Sequence, residues 1–336
     1  MRPAHLTGRR LAAALAVLAG TLAVTLVAAT LIGPARASLS AALAPGGEAT
    51  PDYAILFRAR LPRVLLAAVV GGSLAAAGAA LQALLLNPIA EPHLLGISAG
   101  AAVAGVIAII VGADAASPMV PLAAFLGALG MITLVYLGAR AAGRASPHAI
   151  LLVGVVCNAL AAAAIMLANA IVSYTQAQGI LFWIMGSLST QGYQLVAMVA
   201  AYALVGVAWI VRHAQDLNLL ALGEESALEL GVDVERTRRS VFVAASLLVG
   251  AAVAVSGMIG FVGLIVPHLL RLALGTDHRL LVPASFLGGA TFLVAADTVA
   301  RTALAPAELP VGVVTALLGG PFFIWLLRRS LVRALA

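Results

Sequence analysis

The chain has no lysine, a single cysteine and few charged side chains of any kind. Charged residues make up 10% of its 336 residues and aromatic residues 5%, whereas soluble globular domains carry about 25% charged residues. One cysteine, Cys157, excludes an intrachain disulfide and a metal site built from several cysteines. Without lysine, the phosphate-binding loop G-x-x-x-x-G-K-[ST] cannot occur. The composition therefore argues against a large soluble domain.

Motifs for catalysis and metal binding are also missing. The sequence contains no H-E-x-x-H, and its six histidines are dispersed. The letters G-x-S-x-G occur at 96–100, but within an apolar run predicted as a crossing and not at the strand-to-helix turn that a catalytic serine needs. Asp297 is the one acid predicted to lie well inside an apolar run, and Arg301 follows four residues later on the same helix face, so the two can neutralise each other. We therefore expect no enzyme, no metal site and no cofactor bound by this chain. Uphill transport would need energy from a partner protein or an ion gradient.

Long apolar runs dominate the sequence. Hydrophobic residues make up 63% of the chain and the mean hydropathy is +1.10, and one crossing of the hydrocarbon core needs about 20 apolar residues. The pattern predicts an all-α polytopic membrane protein with about ten transmembrane helices. The predicted crossings are 11–32, 61–86, 93–112, 119–137, 149–168, 193–211, 240–257, 261–274, 280–304 and 311–327. The first run is longer than a signal-peptide core, so we expect it to be retained. Segment 169–191 is half apolar and is expected as a short interfacial helix.

The arginines give the orientation. Cytoplasmic loops collect positive charge, and with the N-terminus inside, fourteen of the nineteen arginines fall on the inner side. These are Arg2, Arg9, Arg10, Arg140, Arg144, Arg212, Arg236, Arg238, Arg239, Arg271, Arg279, Arg328, Arg329 and Arg333. The prediction is N-in and C-in. Topology also explains the basic composition better than nucleic-acid binding, because the arginines form no continuous basic face.

A short motif recurs in the two halves of the chain. The letters PHLL begin at Pro92 and again at Pro267, each time after a glycine-rich helix and five predicted crossings apart. An odd number of crossings places the two copies in opposite orientations. We therefore predict an inverted five-helix repeat, an arrangement found in transporters.

The longest polar stretch, 212–239, is predicted to lie on the inner side. It predicts two short helices, 216–222 ended by Gly223, and 224–230 with acids in its first turn and Gly231 as the C′ residue. Leucines and Ala227 give both helices apolar faces. Two interpretations stay open: packing onto the protein's own inner surface, or a knob that fits a cleft in an ATPase.

Several motifs, taken in order, resemble those of the FecCD permeases, the membrane subunits of type II ABC importers for iron chelates, haem and vitamin B12. They lie between residues 58 and 329. They are RLPR from Arg60, GAALQ from Gly78, NPIAEP from Asn87, GMIGFVGL from Gly257 running into VPH, ADTVAR from Ala296, and ELPVGVVT from Glu308 running to GPFF.

The resemblance implies a single permease domain over 1–336 that forms a homodimer in a bacterial cytoplasmic membrane, with the pathway at the dimer axis. Two ATP-binding subunits, which hold the ATP-Mg, would bind inside, and an extracytoplasmic substrate-binding protein would dock outside. The cargo would be an iron-siderophore, haem or cobalamin. Membrane lipid is an expected partner and nucleic acid is not. The alternative is a gradient-driven carrier or channel with inverted repeats.

Site residues follow from the resemblance position by position. Docking of the binding protein is expected at Arg60, Arg63 and Arg301, with lipid-headgroup anchoring as the alternative for the first two. ATPase coupling is expected at Leu219, Leu220, Gly223, Glu224, Ala227, Leu228 and Gly231. The translocation path and gate are expected at Ser146, His148 and Asn158, although Asn158 could instead pack against a neighbouring helix. Ser146-Pro147-His148 departs from the hydroxyl pair of the B12 member, which leaves the gate and the cargo open.

Overall fold

The computed structural model describes residues 7–112, 117, 119–141, 146–188 and 192–335. Arg2, Arg144 and most of the link between the third and fourth predicted crossings lie outside the described residues. Within them the chain is almost wholly helical, and ten apolar helices match the ten predicted crossings. Seven of the ten are long and apolar enough to span a membrane, and the other three have shorter apolar stretches, at Ile97–Ile110, Val262–Leu274 and Val311–Trp325. The prediction of an all-α polytopic membrane protein is confirmed.

We number the longer helices and the two inner helices in chain order. They are α1 (Gly8–Leu31), α2 (Leu61–Leu84), α3 (Ile97–Ile110), α4 (Met119–Ala141), α5 (Pro147–Ile171), α6 (Tyr174–Ile184), α7 (Tyr193–Arg212), α8 (Ala214–Leu220), α9 (Glu224–Glu229), α10 (Val234–Ser256), α11 (Val262–Leu274), α12 (His278–Thr302) and α13 (Val311–Leu335). Helix α6 is the short helix expected in segment 169–191, and a capping box between Ser173 and Gln176 starts it.

Two of the apolar helices are too short to cross the membrane alone. The third crossing, predicted over 93–112, divides into a 3₁₀ turn at Pro92–Leu95, a left-handed Gly96 and the 14-residue α3. That helix is about 21 Å long, less than the roughly 30 Å of hydrocarbon. Helix α11 has 13 residues. Neither helix alone is as long as the hydrocarbon layer is thick, and each is preceded by a break in the helical backbone.

Helix α2 is the centre of the protein and is buried along nearly its whole length. It packs mainly against α12, α10 and α11. Small residues allow this: a Cβ added to Gly71 would collide with the carbonyl oxygen of Gly289, and one on Gly78 would collide with Gly263. Such close backbone approach through glycine is how helices associate in lipid, where no hydrophobic effect drives them together.

The two PHLL copies differ in local structure. The first forms the 3₁₀ turn before α3, whereas the second lies within α11, with Pro267 inside the helix. Each lies beside a break, since residues 85–96 separate α2 from α3 and residues 257–261 separate α10 from α11. The inverted repeat stays a prediction.

Candidate functional site

A cluster of charged side chains joins the outer ends of α2 and α12. The carboxylate of Asp297 has no exposed surface. Its Oδ1 lies 2.9 Å from Nη2 of Arg63, and its Oδ2 lies 3.0 Å from Nε of Arg301. The Asp297–Arg301 pairing expected from the four-residue spacing is therefore confirmed. Arg63 also contacts the half-exposed Glu308 at 2.7 Å, so two acids balance two arginines.

The end of α1 is fastened to this cluster by two arginines. Arg60 donates to the backbone carbonyls of Leu31 at 2.9 Å and Thr30 at 3.3 Å, and also to that of Ala35. Arg301 donates to the carbonyl of Ala29 at 3.1 Å. The last carbonyls of a helix have no partner within the helix and carry partial negative charge. Guanidinium groups therefore suit this position.

The three arginines predicted to dock the substrate-binding protein are mostly buried. Arg60 and Arg301 are only 6% and 3% exposed, and Arg63 is largely buried. Their guanidinium groups contact this protein's own carboxylates and carbonyls in the described conformation. The exposed arginines on the predicted outer side are Arg36 and Arg58. A docking role for Arg60, Arg63 and Arg301 stays a prediction.

The inner segment forms the two short helices predicted from sequence, α8 and α9. Gly223 adopts φ +113° between them and Gly231 adopts φ +85° after α9. The N–H of Gly231 donates to the carbonyl of Leu228, and that of Val232 donates to the carbonyl of Ala227, both at 3.0 Å. This is a Schellman ending, so Gly231 is the C′ residue as expected.

The apolar side chains of this segment divide between two faces. Leu217, Leu220 and Ala227 are buried, and Leu219, Gly223 and Glu224 are partly buried. On the other face Leu222, Leu228 and Leu230 are 65%, 59% and 60% exposed, and Gly231 is exposed. Both interpretations of the segment thus have a basis: one face packs onto the protein and the other is free for a partner.

A polar node connects α8 to the start of α12. Nδ2 of Asn218 donates to Oδ1 of Asp277 at 2.9 Å, and the backbone N–H of His278 donates to Oδ1 of Asn218 at 2.8 Å. Hydrogen bonds from Arg279 are the main cause that lowers the pKa of Asp277 to about 2, and the bond from Asn218 adds to it. Asp277 is therefore ionised at neutral pH. The inner segment and α12 are joined by side chains that no sequence motif indicated.

The predicted gate residues lie on α5. Ser146 is the N-cap, its Oγ accepting from the N–H of Ala149 at 3.2 Å, while His148 is exposed and Asn158 half-buried. His148 begins an uncovered stripe that continues through Leu152, Val155 and Val156. The path assignment stays a prediction.

Sequence reasoning missed a second buried acid. The carboxylate of Glu91, 9% exposed, accepts a hydrogen bond from the backbone N–H of Phe261, which adopts φ +68° at the start of α11. Glu91 therefore connects the break between α2 and α3 to the break between α10 and α11. The search for acids inside apolar runs overlooked it because Glu91 lies between two prolines, outside any run. Its place in the NPIAEP motif was the available signal.

Comparison with known proteins gives one family. A profile of the FecCD transport family matches residues 18–329. The hemin transport system permease protein HmuU of Yersinia pestis is 45% identical over 276 residues, which are 81% of this chain and 82% of that protein. The cobalamin import system permease protein BtuC of Halobacterium salinarum is 43% identical over 317 residues, covering 94% and 84%.

A solved structure agrees over the whole fold. It is described as an inward-facing conformation of a metal-chelate type ABC transporter, and it matches with a TM-score of 0.82 and 33% sequence identity. The match covers 95% of this chain and 99% of that one.

Proposed function

Because the chain belongs to the FecCD transport family, we propose that it is the permease subunit of an ATP-driven importer for a metal chelate. The observation that carries the proposal is the family match over residues 18–329, nearly the whole chain. The chain is a transport subunit and not an enzyme, and ATP hydrolysis belongs to a separate subunit.

The cargo class follows from the relatives. Two of them handle hemin and cobalamin at nearly equal identity to this chain. Both compounds hold a metal ion in a macrocycle, so we rank the two macrocyclic chelates, haem and cobalamin, ahead of an iron-siderophore as the cargo. Binding of haem, cobalamin and a ferric siderophore to the cognate substrate-binding protein would rank the three directly.

The proposed assembly is a homodimer in the cytoplasmic membrane. The uncovered stripe of α5 that begins at His148 supports a partner along this helix, and the translocation path would then lie between the two copies. Two ATPase subunits would bind the exposed leucines of α8 and α9. A substrate-binding protein would dock at the outer ends of α1, α2 and α12.

Conformational coupling has a continuous physical route in the fold. ATP binding to the partner subunits would displace α8 and α9, and the Asn218 node would pass the displacement to α12, whose far end holds Asp297. A ligand shifts such an equilibrium only through its different affinity for the two states. The route is proposed from contiguous contacts, and coupling along it requires a direct measurement.

A gradient-driven carrier is the rival function. Such carriers use ionisable groups inside the membrane that gain and lose protons or bind ions. Asp297 contacts two arginines, and Glu91 accepts a backbone hydrogen bond. Both acids are therefore engaged in structural interactions in the described conformation.

The first prediction concerns the energy source. In proteoliposomes that contain this chain, its co-purified ATPase and the binding protein, uptake should require ATP on the side of the membrane where the ATPase is bound. A non-hydrolysable ATP analogue should not support repeated uptake, and an ionophore that collapses ion gradients should leave uptake unchanged. Uptake that is driven by an ion gradient without ATP would contradict the proposal and support a gradient-driven carrier.

The second prediction concerns the exposed face of α9. Leu228→Asp should reduce ATPase co-purification at least tenfold, because a charge would have to be buried in the cleft that receives the leucine. The matched control is Leu43→Asp, since Leu43 is also exposed, at 65%, but lies on the predicted outer side. Equal co-purification of the two variants would remove α9 from the interface.

The third prediction concerns docking on the outer side. Arg60→Ala with Arg301→Ala should weaken binding of the substrate-binding protein about tenfold or more, while ATPase assembly survives. Truncation removes the groups that hold the end of α1, so the docking surface loses its shape as well as its charge. Arg36→Ala with Arg58→Ala, an equal charge loss at exposed sites, should mainly slow association and change its salt dependence. An unchanged affinity in the Arg60/Arg301 variant would refute the assignment.

A further inference from the structure

A groove lies between α7 and α10 near the inner ends of both helices. One wall is a stripe of α7, namely Tyr202, Val205, Gly206 and Trp209, and the other is a stripe of α10, namely Arg236, Arg239, Ser240, Val243, Ala244 and Leu247. Its volume is about 560 Å³, within the range of about 300–1,000 Å³ usual for small-molecule sites. The groove is separate from the outer charge cluster and from the exposed face of α9.

The groove is apolar towards the middle of the membrane. Val205 and Trp209 on one wall are 69% and 51% exposed, and Val243 on the other is 40% exposed. At Gly206 the helices approach closely, since a Cβ there would lie 2.6 Å from Cδ2 of Leu248. The close approach closes the floor of the groove, while its open side faces away from the protein core.

The inner end of the groove is polar and basic. Arg236 and Arg239 lie one turn apart in the first turns of α10, and Arg212 ends α7 three residues after Trp209. All three arginines are exposed. The indole N–H of Trp209 donates to Oγ of Ser240 at 2.8 Å. Tryptophan and arginine at one level are typical of the membrane–water interface.

The guanidinium groups of these three arginines have no carboxylate partner within the described part of the chain, although the backbone N–H of Arg236 donates to Oδ1 of Asp233 at 3.0 Å. The nearby Glu235 accepts from the hydroxyl of Tyr136 at 3.4 Å, and Glu224 pairs with Arg238. An anion at the groove would therefore meet two guanidinium groups whose charge is not already neutralised by a carboxylate. Guanidinium groups bind phosphate through paired, charge-assisted hydrogen bonds.

We propose that this groove binds one anionic phospholipid of the inner leaflet. The phosphate lies between Arg236 and Arg239, and an acyl chain follows the apolar walls past Trp209 and Val243. Basic pockets between transmembrane helices on the cytoplasmic side bind anionic headgroups in this way. The groove is basic at its inner end and apolar towards the middle of the membrane. This arrangement matches a lipid in the bilayer better than it matches a soluble anion or a protein surface.

Quenching of Trp209 fluorescence by brominated lipids tests the proposal at the site itself. The full-length chain is reconstituted in vesicles containing brominated phosphatidylglycerol or brominated phosphatidylcholine at equal mole fraction. The contribution of Trp209 is the difference between the wild type and Trp209→Phe. We expect stronger quenching by the anionic lipid, and we expect this preference to fall about tenfold or more in Arg236→Gln with Arg239→Gln.

The matched control is Arg9→Gln with Arg140→Gln, which removes two exposed inner arginines elsewhere and should retain the preference. Excess inorganic phosphate at constant ionic strength should not reduce it. Equal quenching by the two lipids in the wild type, or a preference retained in the Arg236/Arg239 variant, would overturn the proposal. Competition by phosphate would overturn it in favour of a soluble anion. If the double variant does not reconstitute, the lipid preference is compared between the wild type and Arg236→Gln alone, and a preference that is unchanged in the single variant overturns the proposal.

Discussion

A carboxylate without solvent exposure cannot stay ionised in a membrane protein unless cations surround it, and Asp297 is in that position. Arg63 from α2 and Arg301 from α12 supply the cations, and Arg301 also binds the last turn of α1. One buried charge therefore fixes the relative positions of three helices at the outer end of the protein. Buried ion pairs add little net stability, but loss of one partner leaves an uncompensated charge.

Helix α12 gives this cluster a connection to the inner side. Its first residues bind Asn218 of α8, and its last turns hold Asp297 and Arg301. Along its middle, α12 approaches α2 closely, since a Cβ added to Gly289 would collide with the carbonyl oxygen of Gly71. The inner segment and the outer surface are thus linked by a tightly packed helix, which suits a permease that responds to ATPase subunits on one side and to a binding protein on the other.

Sequence reasoning succeeded where local chemistry decides the structure. The apolar runs predicted ten helices, Gly223 and Gly231 marked the ends of the short inner helices, and the four-residue spacing paired Asp297 with Arg301. It was incomplete where distant segments meet. The burial of Arg60 depends on the end of α1, where Thr30 lies thirty residues earlier, and the contact of Glu91 with Phe261 joins residues 170 positions apart. Neither the hydropathy pattern nor the spacing of charges predicts such tertiary contacts. The breaks before α3 and α11 were not predicted either, because in sequence both segments are ordinary apolar runs.

A double-mutant cycle between Arg63 and Asp297 tests the role of the buried charge most directly. The thermal stability of the purified full-length chain would be measured for Arg63→Gln, for Asp297→Asn and for the two combined. We predict that the free energy of unfolding falls less in the combined variant than the sum of the two single losses, with a coupling of about 1–3 kcal/mol. The reason is that each single change leaves the other member of the Arg63–Asp297 pair uncompensated, whereas the loss of partner for Arg301 and for Glu308 is already counted in the single variants. Additive effects, within about 0.3–0.5 kcal/mol, would show that the pair does not hold α2 and α12 together.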